Sequence, residues 1–339
     1  MNRINPDTFD DDFDVPVEPG ERRPRRLNLY RPHKPKVDKW KVRAGLVERP
    51  GPEQGDHELF LSRSLDATNE ERAYLFEQIS RFHAAKLITG VLRRVKGGKE
   101  ANVYCCAAHP NVGLELIAAK VYRPRQFRNL KNDAQYRQGR PVLTVNGQVI
   151  SQKDWRAHKA IQNKTRFGLL TAQTSWVEYE FLTMKRLHDA GADVPRPFRN
   201  SEHALLMEYL GEVGMAAPTL NLIALERAEA QTLFDQLLHN VELMLAHGVV
   251  HGDLSAYNVL YWEGEIRIID FPQMVDPHAN PDARAIFNRD VDRLCQYFAR
   301  YGVQANAVAI ARDFWGRHVP VHGWAMNLTL ASTDASRNG

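Results

Sequence analysis

Apolar positions along the chain change period several times, and each change marks an element. Thr68-Asn69-Glu70-Glu71 supplies a polar cap and an acidic first turn. Leu75, Phe76, Ile79 and Phe82 then recur at helical spacing, which predicts a helix to about Lys86. From Ile88 to Tyr122 the texture becomes β-branched and aromatic, broken by the Gly97-Gly98 turn, and predicts antiparallel strands. Residues 123–170 are polar with weak periodicity and read as a long, partly mobile insertion. Trp176, Phe181, Met184 and Leu187 restore a helical stripe that stops at Ala190-Gly191. HALLMEYLG (203–211) reads as a short strand, and Leu233, Leu237, Val241 and Leu245 mark a helix over 221–247. VVHGDLSAYNVLYW and EIRIIDF follow as two short strands around a polar loop, then helices over about 281–316 and a frayed tail. Strands first and helices afterwards predict an α+β protein of two lobes, with a β-rich N-lobe over 63–211 and a helical C-lobe over 212–330.

Composition narrows the class without naming a function. At 43% hydrophobic and 25% charged, the chain has the balance of an ordinary soluble protein. Cys105 and Cys106 are adjacent, Cys295 is distant and no CxxC pair occurs, which argues against a disulfide scaffold or a cysteine zinc site. No apolar run reaches the ~18 residues of a membrane helix, and MNRINPDTFDDDFD lacks the apolar core of a secretory signal, so the expected location is cytoplasmic.

The net charge of +4 conceals a sharp division. Asp7, Asp10, Asp11, Asp12, Asp14, Glu18 and Glu21 face only Arg3, whereas the charged residues of 22–43 are basic, from Arg22 to Arg43, except Asp38. With frequent proline, this composition predicts a largely disordered arm over 1–62. The basic block is a candidate contact for RNA or a ribosomal particle; alternatively, the arm is a solvated tail whose halves neutralise each other. Residues 331–339 read as a second disordered tail.

The strongest chemical signal is His251-Gly252-Asp253-Leu254-Ser255-Ala256-Tyr257-Asn258, followed by Ile268-Ile269-Asp270. Phosphoryl transfer from ATP needs a carboxylate at the acceptor hydroxyl, and an oxygen ligand plus a second carboxylate to hold magnesium on the phosphates. Asp253, Asn258 and Asp270 supply that set on one short loop and the strand after it. His251 reads as a loop-positioning residue. Its pairing with His247 lacks the following glutamate of a zinc protease motif. Upstream, Lys96-Gly97-Gly98-Lys99-Glu100 is a glycine turn suited to phosphates but is not a Walker A loop. Lys120, flanked by Ala118, Ala119 and Val121, is a strand lysine in need of an anion; Glu178 or Glu180 could supply it, lying on different faces of one helix. Met207-Glu208-Tyr209-Leu210 fits a hinge whose backbone binds adenine.

In that order these segments resemble the RIO atypical protein kinases. GKEANVY (98–104) is similar to that family's phosphate loop, and AAKVYRPRQFRN to its lysine strand and following loop. SWVEYEFLTMKRLHDAGADVPRP resembles its glutamate-bearing helix. LLMEYLG, VVHGDLSAYNVL and IIDFPQ resemble its hinge, catalytic loop and metal segment. The resemblance covers about 70–315 and implies a two-lobed protein-kinase-like fold with a reduced helical C-lobe. It implies Asp253 as the catalytic residue, and Asn258 and Asp270 as ligands of Mg2+ (or Mn2+), Asp270 with a second catalytic role as an aspartyl-phosphate. It further implies ATP contacts from Gly98, Lys99, Lys120, Glu180, Glu208 and Leu210, with Glu180 as the partner of Lys120. Lys96-Gly97 replaces the family's usual Ser-Thr, and no A-P-E follows Asp270, as in that family. The activities implied are serine/threonine kinase with self-phosphorylation, an ATPase-type switch on a ribonucleoprotein, or, against the GKEANVY loop, a small-molecule kinase.

Overall fold

The first regular element, α1 (Asn69–Ala84), begins where its sequence provides a capping box: Glu71 N–H donates to Thr68 Oγ1 at 3.2 Å, and Thr68 N–H to the Glu71 carboxylate at 3.1 Å. In this computed structural model the described residues run from 60 to 319, excepting 63, 64, 66, 99, 124–135 and 137. Most of the arm (1–59), Lys99 and the tail 331–339 therefore lie outside the described residues.

Leu75, Ile79 and Phe82 of α1 pack on an antiparallel sheet of β1 (Ile88–Gly97), β2 (Ala101–Ala108), β3 (Leu116–Tyr122), β4 (Pro197–Asn200) and β5 (Ala204–Glu208), in the order β1-β2-β3-β5-β4. Register places Lys120 at the centre, between Val103 of β2 and Leu205 of β5. A central-strand lysine flanked by apolar neighbours cannot reach bulk water, so its charge must be met inside the fold.

Two helices follow β3: α2 (Trp155–Gln162), capped by Asp154, and α3 (Arg166–Asp189), capped by Thr165. The sequence pattern gives α3 only from Trp176, and places α2 within a segment read as an insertion. The reason is the buried face of α3's first turns, which uses Gly168, Ala172, Gln173, Thr174 and Ser175 rather than large apolar residues. Gly168 sits where α3 crosses α2, and a Cβ there would collide with the Ala160 carbonyl. The far end of α3 contributes Met184 and Leu187 to the larger hydrophobic core, so this helix spans both cores.

That larger core is built on α4 (Arg227–Ala246), α5 (Ala283–Ala299) and α6 (Ala307–His318). Helix α4 starts six residues later than its pattern suggests. Leu220, Ile223 and Leu225 are buried like a helical stripe, but they lie in a 3-10 turn and the extended chain after it. A small hairpin, β6 (Gly211–Glu212) with β7 (Met215–Ala216), follows β5. A second, β8 (Val259–Trp262) with β9 (Glu265–Ile268), holds the motif-bearing loops against the helices. The mixed fold, with its antiparallel sheet and six α-helices among the described residues, is the α+β class expected. Among the described residues, no helix is long and apolar enough to cross a membrane.

Candidate active site

Three elements far apart in sequence meet at Lys120. Its Nζ lies 2.7 Å from Glu180 Oε1 on α3 and 2.7 Å from Asp270 Oδ1, just beyond β9. Lys120 and Glu180 are sealed from solvent, whereas the Asp270 side chain keeps 43% of its exposure. Burial opposes the lysine's charge, but Asp270 and Glu180 outweigh it and raise the ammonium above its ordinary range. Burial raises Glu180, with Lys120 opposing and Asp270 adding to the rise. Burial also works against the charge on Asp270, yet Lys120 prevails and holds this carboxyl below its usual value. Lys96, at the end of β1, acts in the same direction, which brings the glycine turn to bear on Asp270.

Geometry settles which glutamate faces the lysine. Glu178, two residues earlier, turns away and accepts from Asn200 Nδ2 at 2.6 Å. Burial pushes its pKa from 4.5 up to about 7, against the pull of the Asn200 amide. A carboxyl raised on folding adds stability that is present below about pH 4.5 and lost as pH rises through 7. Glu178→Gln is therefore expected to leave stability at pH 4.5 nearly unchanged and to raise it at pH 8 by on the order of 1–3 kcal/mol. Urea melts at the two pH values check this; equal effects at both would refute it.

The backbone at Asp270 is unusual, with φ of 75°, a left-handed conformation rare outside glycine and concentrated at functional sites. The chain around it is pinned: Ile269 N–H donates to the Asn258 carbonyl at 2.9 Å, and Val250 and Val275 exchange bonds of 2.9 and 2.8 Å. His251, buried, accepts from Asp253 N–H at 3.3 Å and donates from Nε2 to the Ile269 carbonyl at 3.1 Å, its ring packed on Phe271. It thus positions the loop, as its sequence context indicates.

Asn258 bridges to Asp253, its Nδ2 donating to the Asp253 carbonyl at 2.8 Å and to Oδ2 at 3.2 Å. Asp253 Oδ1 accepts from Arg293 at 2.9 Å, and the carboxylate is 41% exposed, open to an incoming group. The Asn258 carbonyl, bonded to Ile269 N–H, links the Asp253–Asn258 pair to the residue before Asp270, and Asp270 in turn meets Lys120 with Glu180. Gly98 follows β1 in the turn to β2, where a Cβ would press to 2.8 Å on the Ala101 carbonyl. Glu208 turns its carboxylate to Arg196 N–H, accepting at 3.2 Å, and its own N–H donates to the Arg196 carbonyl at 2.8 Å. The Leu210 carbonyl accepts from Ala217 N–H at 2.9 Å, which fixes the turn into β6.

Sequence reasoning missed the supports from α5. Asp290, 2% exposed, accepts the Gly252 N–H at 2.8 Å, and Arg289 donates to the Gly252 carbonyl. Burial raises the Asp290 pKa against His251 and Arg289. A signal existed: Asp290 falls in line with Ile286, Phe287, Val291 and Leu294, a core position for a helical carboxylate. Arg140, within the segment read as an insertion, donates to the Pro272 and Met274 carbonyls and so clasps the turn following Asp270. Arg93 of β1 likewise ties the sheet to the segment after β5 through Tyr209 at 2.8 Å and the Val213 carbonyl.

Comparison with known proteins identifies the family. A family model described as the RIO domain matches residues 102–310. The chain belongs to the RIO family. Its RIO relatives include the serine/threonine-protein kinase RIO1 of Chaetomium thermophilum, 31% identical over 246 residues, 69% of this chain and 43% of that protein. The RIO-type serine/threonine-protein kinase Rio1 of Haloferax volcanii is 28% identical over 218 residues, 62% of this chain and 64% of that protein. Human serine/threonine-protein kinase RIO1 is 27% identical over 244 residues, 72% and 38% respectively. The chain thus matches less than two thirds of the length of each. The RIO match takes in Lys120, Glu180, Asp253, Asn258 and Asp270 and begins after Gly98.

Proposed function

We propose that the chain is a Mg-ATP-dependent serine/threonine protein kinase that also phosphorylates itself. The observation that carries this reading is the convergence of Glu180 and Asp270 on Lys120, each at 2.7 Å, beside the Asp253–Asn258 loop. Lys120, aimed by Glu180, binds the nucleotide's phosphates, with Gly98 and Lys99 at the glycine turn. The backbone at Glu208 and Leu210 holds adenine. The donor set suits a hard divalent cation: Asp270 is ionised and partly exposed, and Asn258 commits its amide nitrogen to Asp253, leaving Oδ1 for coordination. Mg2+, or Mn2+, held by these two would neutralise phosphate charge. Asp253 orients the acceptor hydroxyl and takes its proton as the new O–P bond forms and the bond to the ADP leaving oxygen breaks.

The same groups support an ATPase-type switch in which Asp270 itself takes the phosphoryl group. Labelled ATP with the purified chain and a generic protein acceptor separates the two. Phosphoserine on the chain or acceptor supports the kinase; free phosphate with a hydroxylamine-sensitive adduct and no phosphoserine replaces it with the switch. We place the protein in the cytoplasm, with RNA or a ribosomal particle as a partner of the basic 22–43 block.

A further inference from the structure

The most conspicuous unassigned surface lies on α2 and the first turns of α3. Trp155 is 62% exposed, Phe167 60% and Leu170 43%, three large apolar side chains within sixteen residues. Lys153, Arg156, Lys159, Lys164 and Arg166 are exposed around them, and none pairs with a carboxylate among the described residues. The Arg156 and Lys159 cations lie 5.7 and 5.8 Å from the Trp155 ring centre. The one acid here, Asp154, is committed to capping α2 through Ala157 N–H at 3.1 Å. The Gly168–Ala160 crossing locks the two helices together, so rings and cations are presented on a rigid support.

We propose that the chain's own acidic segment, residues 7–21, docks on this face. The segment has the complementary character: Asp7, Asp10, Asp11, Asp12, Asp14, Glu18 and Glu21 interleaved with Phe9, Phe13, Val15 and Val17, and no Lys or Arg between 4 and 21. Acids answer the unpaired cations, and the apolar residues cover Trp155, Phe167 and Leu170. Residues 22–59 tether the segment to Phe60; at ~3.3 Å per extended residue they can cross the whole domain, and the tether makes docking intramolecular. The adjoining basic block, 22–43, competes for the same acids, but its aromatic residues are Tyr30 and Trp40 alone. The α2–α3 face is ordered already, which lowers the entropic cost of association. Docking leaves block 22–43 open to other partners. The inference is independent of any catalytic reading.

The test is zero-length carbodiimide coupling of the full chain, followed by peptide mapping. The expected products join acids of 7–21 to Lys153, Lys159 or Lys164 within one chain, independent of protein concentration and suppressed by about 0.5 M salt. Trp155→Ala with Arg156→Glu and Arg166→Glu keeps the three lysines as reporters and should cut coupling by on the order of fivefold. All three sites are exposed, so an unchanged melting temperature confirms that the variant folds. Coupling confined to Lys34, Lys36, Lys39 and Lys41, or found only between chains, would overturn the proposal. So would single-stranded oligouridylate bound through Trp155 with equal affinity before and after Asp10, Asp11 and Asp12 are changed to Asn, because the face would then be a nucleic-acid site that the segment does not cover.

Discussion

Asp253→Asn is expected to reduce phosphoryl transfer by about 10²–10⁴-fold while nucleotide binding stays within twofold or so of the original. The substitution keeps the shape of the side chain and removes its charge. Asp253 Oδ2 meets Asn258 Nδ2 at 3.2 Å and Oδ1 meets Arg293 at 2.9 Å. An amide placed there retains one acceptor oxygen but cannot take a proton from an acceptor hydroxyl. It also leaves Arg293 facing a neutral group. Nucleotide affinity should persist, because Lys120, Glu180 and Asp270 form their own ion-paired cluster without Asp253. Single-turnover transfer from labelled ATP and calorimetric nucleotide binding, on the same preparations, read the two effects separately. Transfer at the original rate would remove Asp253 from the mechanism. Loss of nucleotide binding alone would reassign it to the metal site.

The parts of this site legible in the sequence are those that chemistry forces into short spacing. Asp253 and Asn258 lie five residues apart on one loop and bond to each other, and Asp270 follows the hairpin that begins there. These residues, and Lys120 among small apolar neighbours, could be picked out with no structure. The choice between Glu178 and Glu180 could not, because both are buried and lie two apart. Only the helix's rotation, set by packing along all of α3, decides which meets the lysine. The start of α3 was hidden for a related reason: its buried turns carry Gly168, Ala172 and Ser175, since close helix crossing excludes the bulky residues from which periodicity is read. Asp290 and Arg140 act through backbone groups of distant loops, Gly252 in one case and Pro272 and Met274 in the other. Such contacts leave no local motif, though a carboxylate in a helix's apolar line was a usable hint.

Lys120→Met should produce the largest combined effect, and its two components can be separated. The methionine fills a similar volume but leaves Glu180, 1% exposed, without its cation and still close to Asp270. Removing one partner of a buried pair costs about 3–5 kcal/mol, because the remaining charge is stranded. Glu180 then folds only in its protonated form, so its pKa in the folded variant lies further above its unfolded value. The variant's stability is present below the ordinary carboxylate range and is lost as pH rises through the raised value. Adding Glu180→Gln removes the stranded acid, and the double variant should recover about half or more of the lost stability and most of the pH dependence. Transfer should remain at background in both, since neither restores a cation for the phosphates. Urea melts at pH 5 and 8, with transfer assays on the single and double variants, test each arm. Stability unrecovered in the double variant would refute the stranded-charge account, and transfer retained by Lys120→Met would refute the phosphate role.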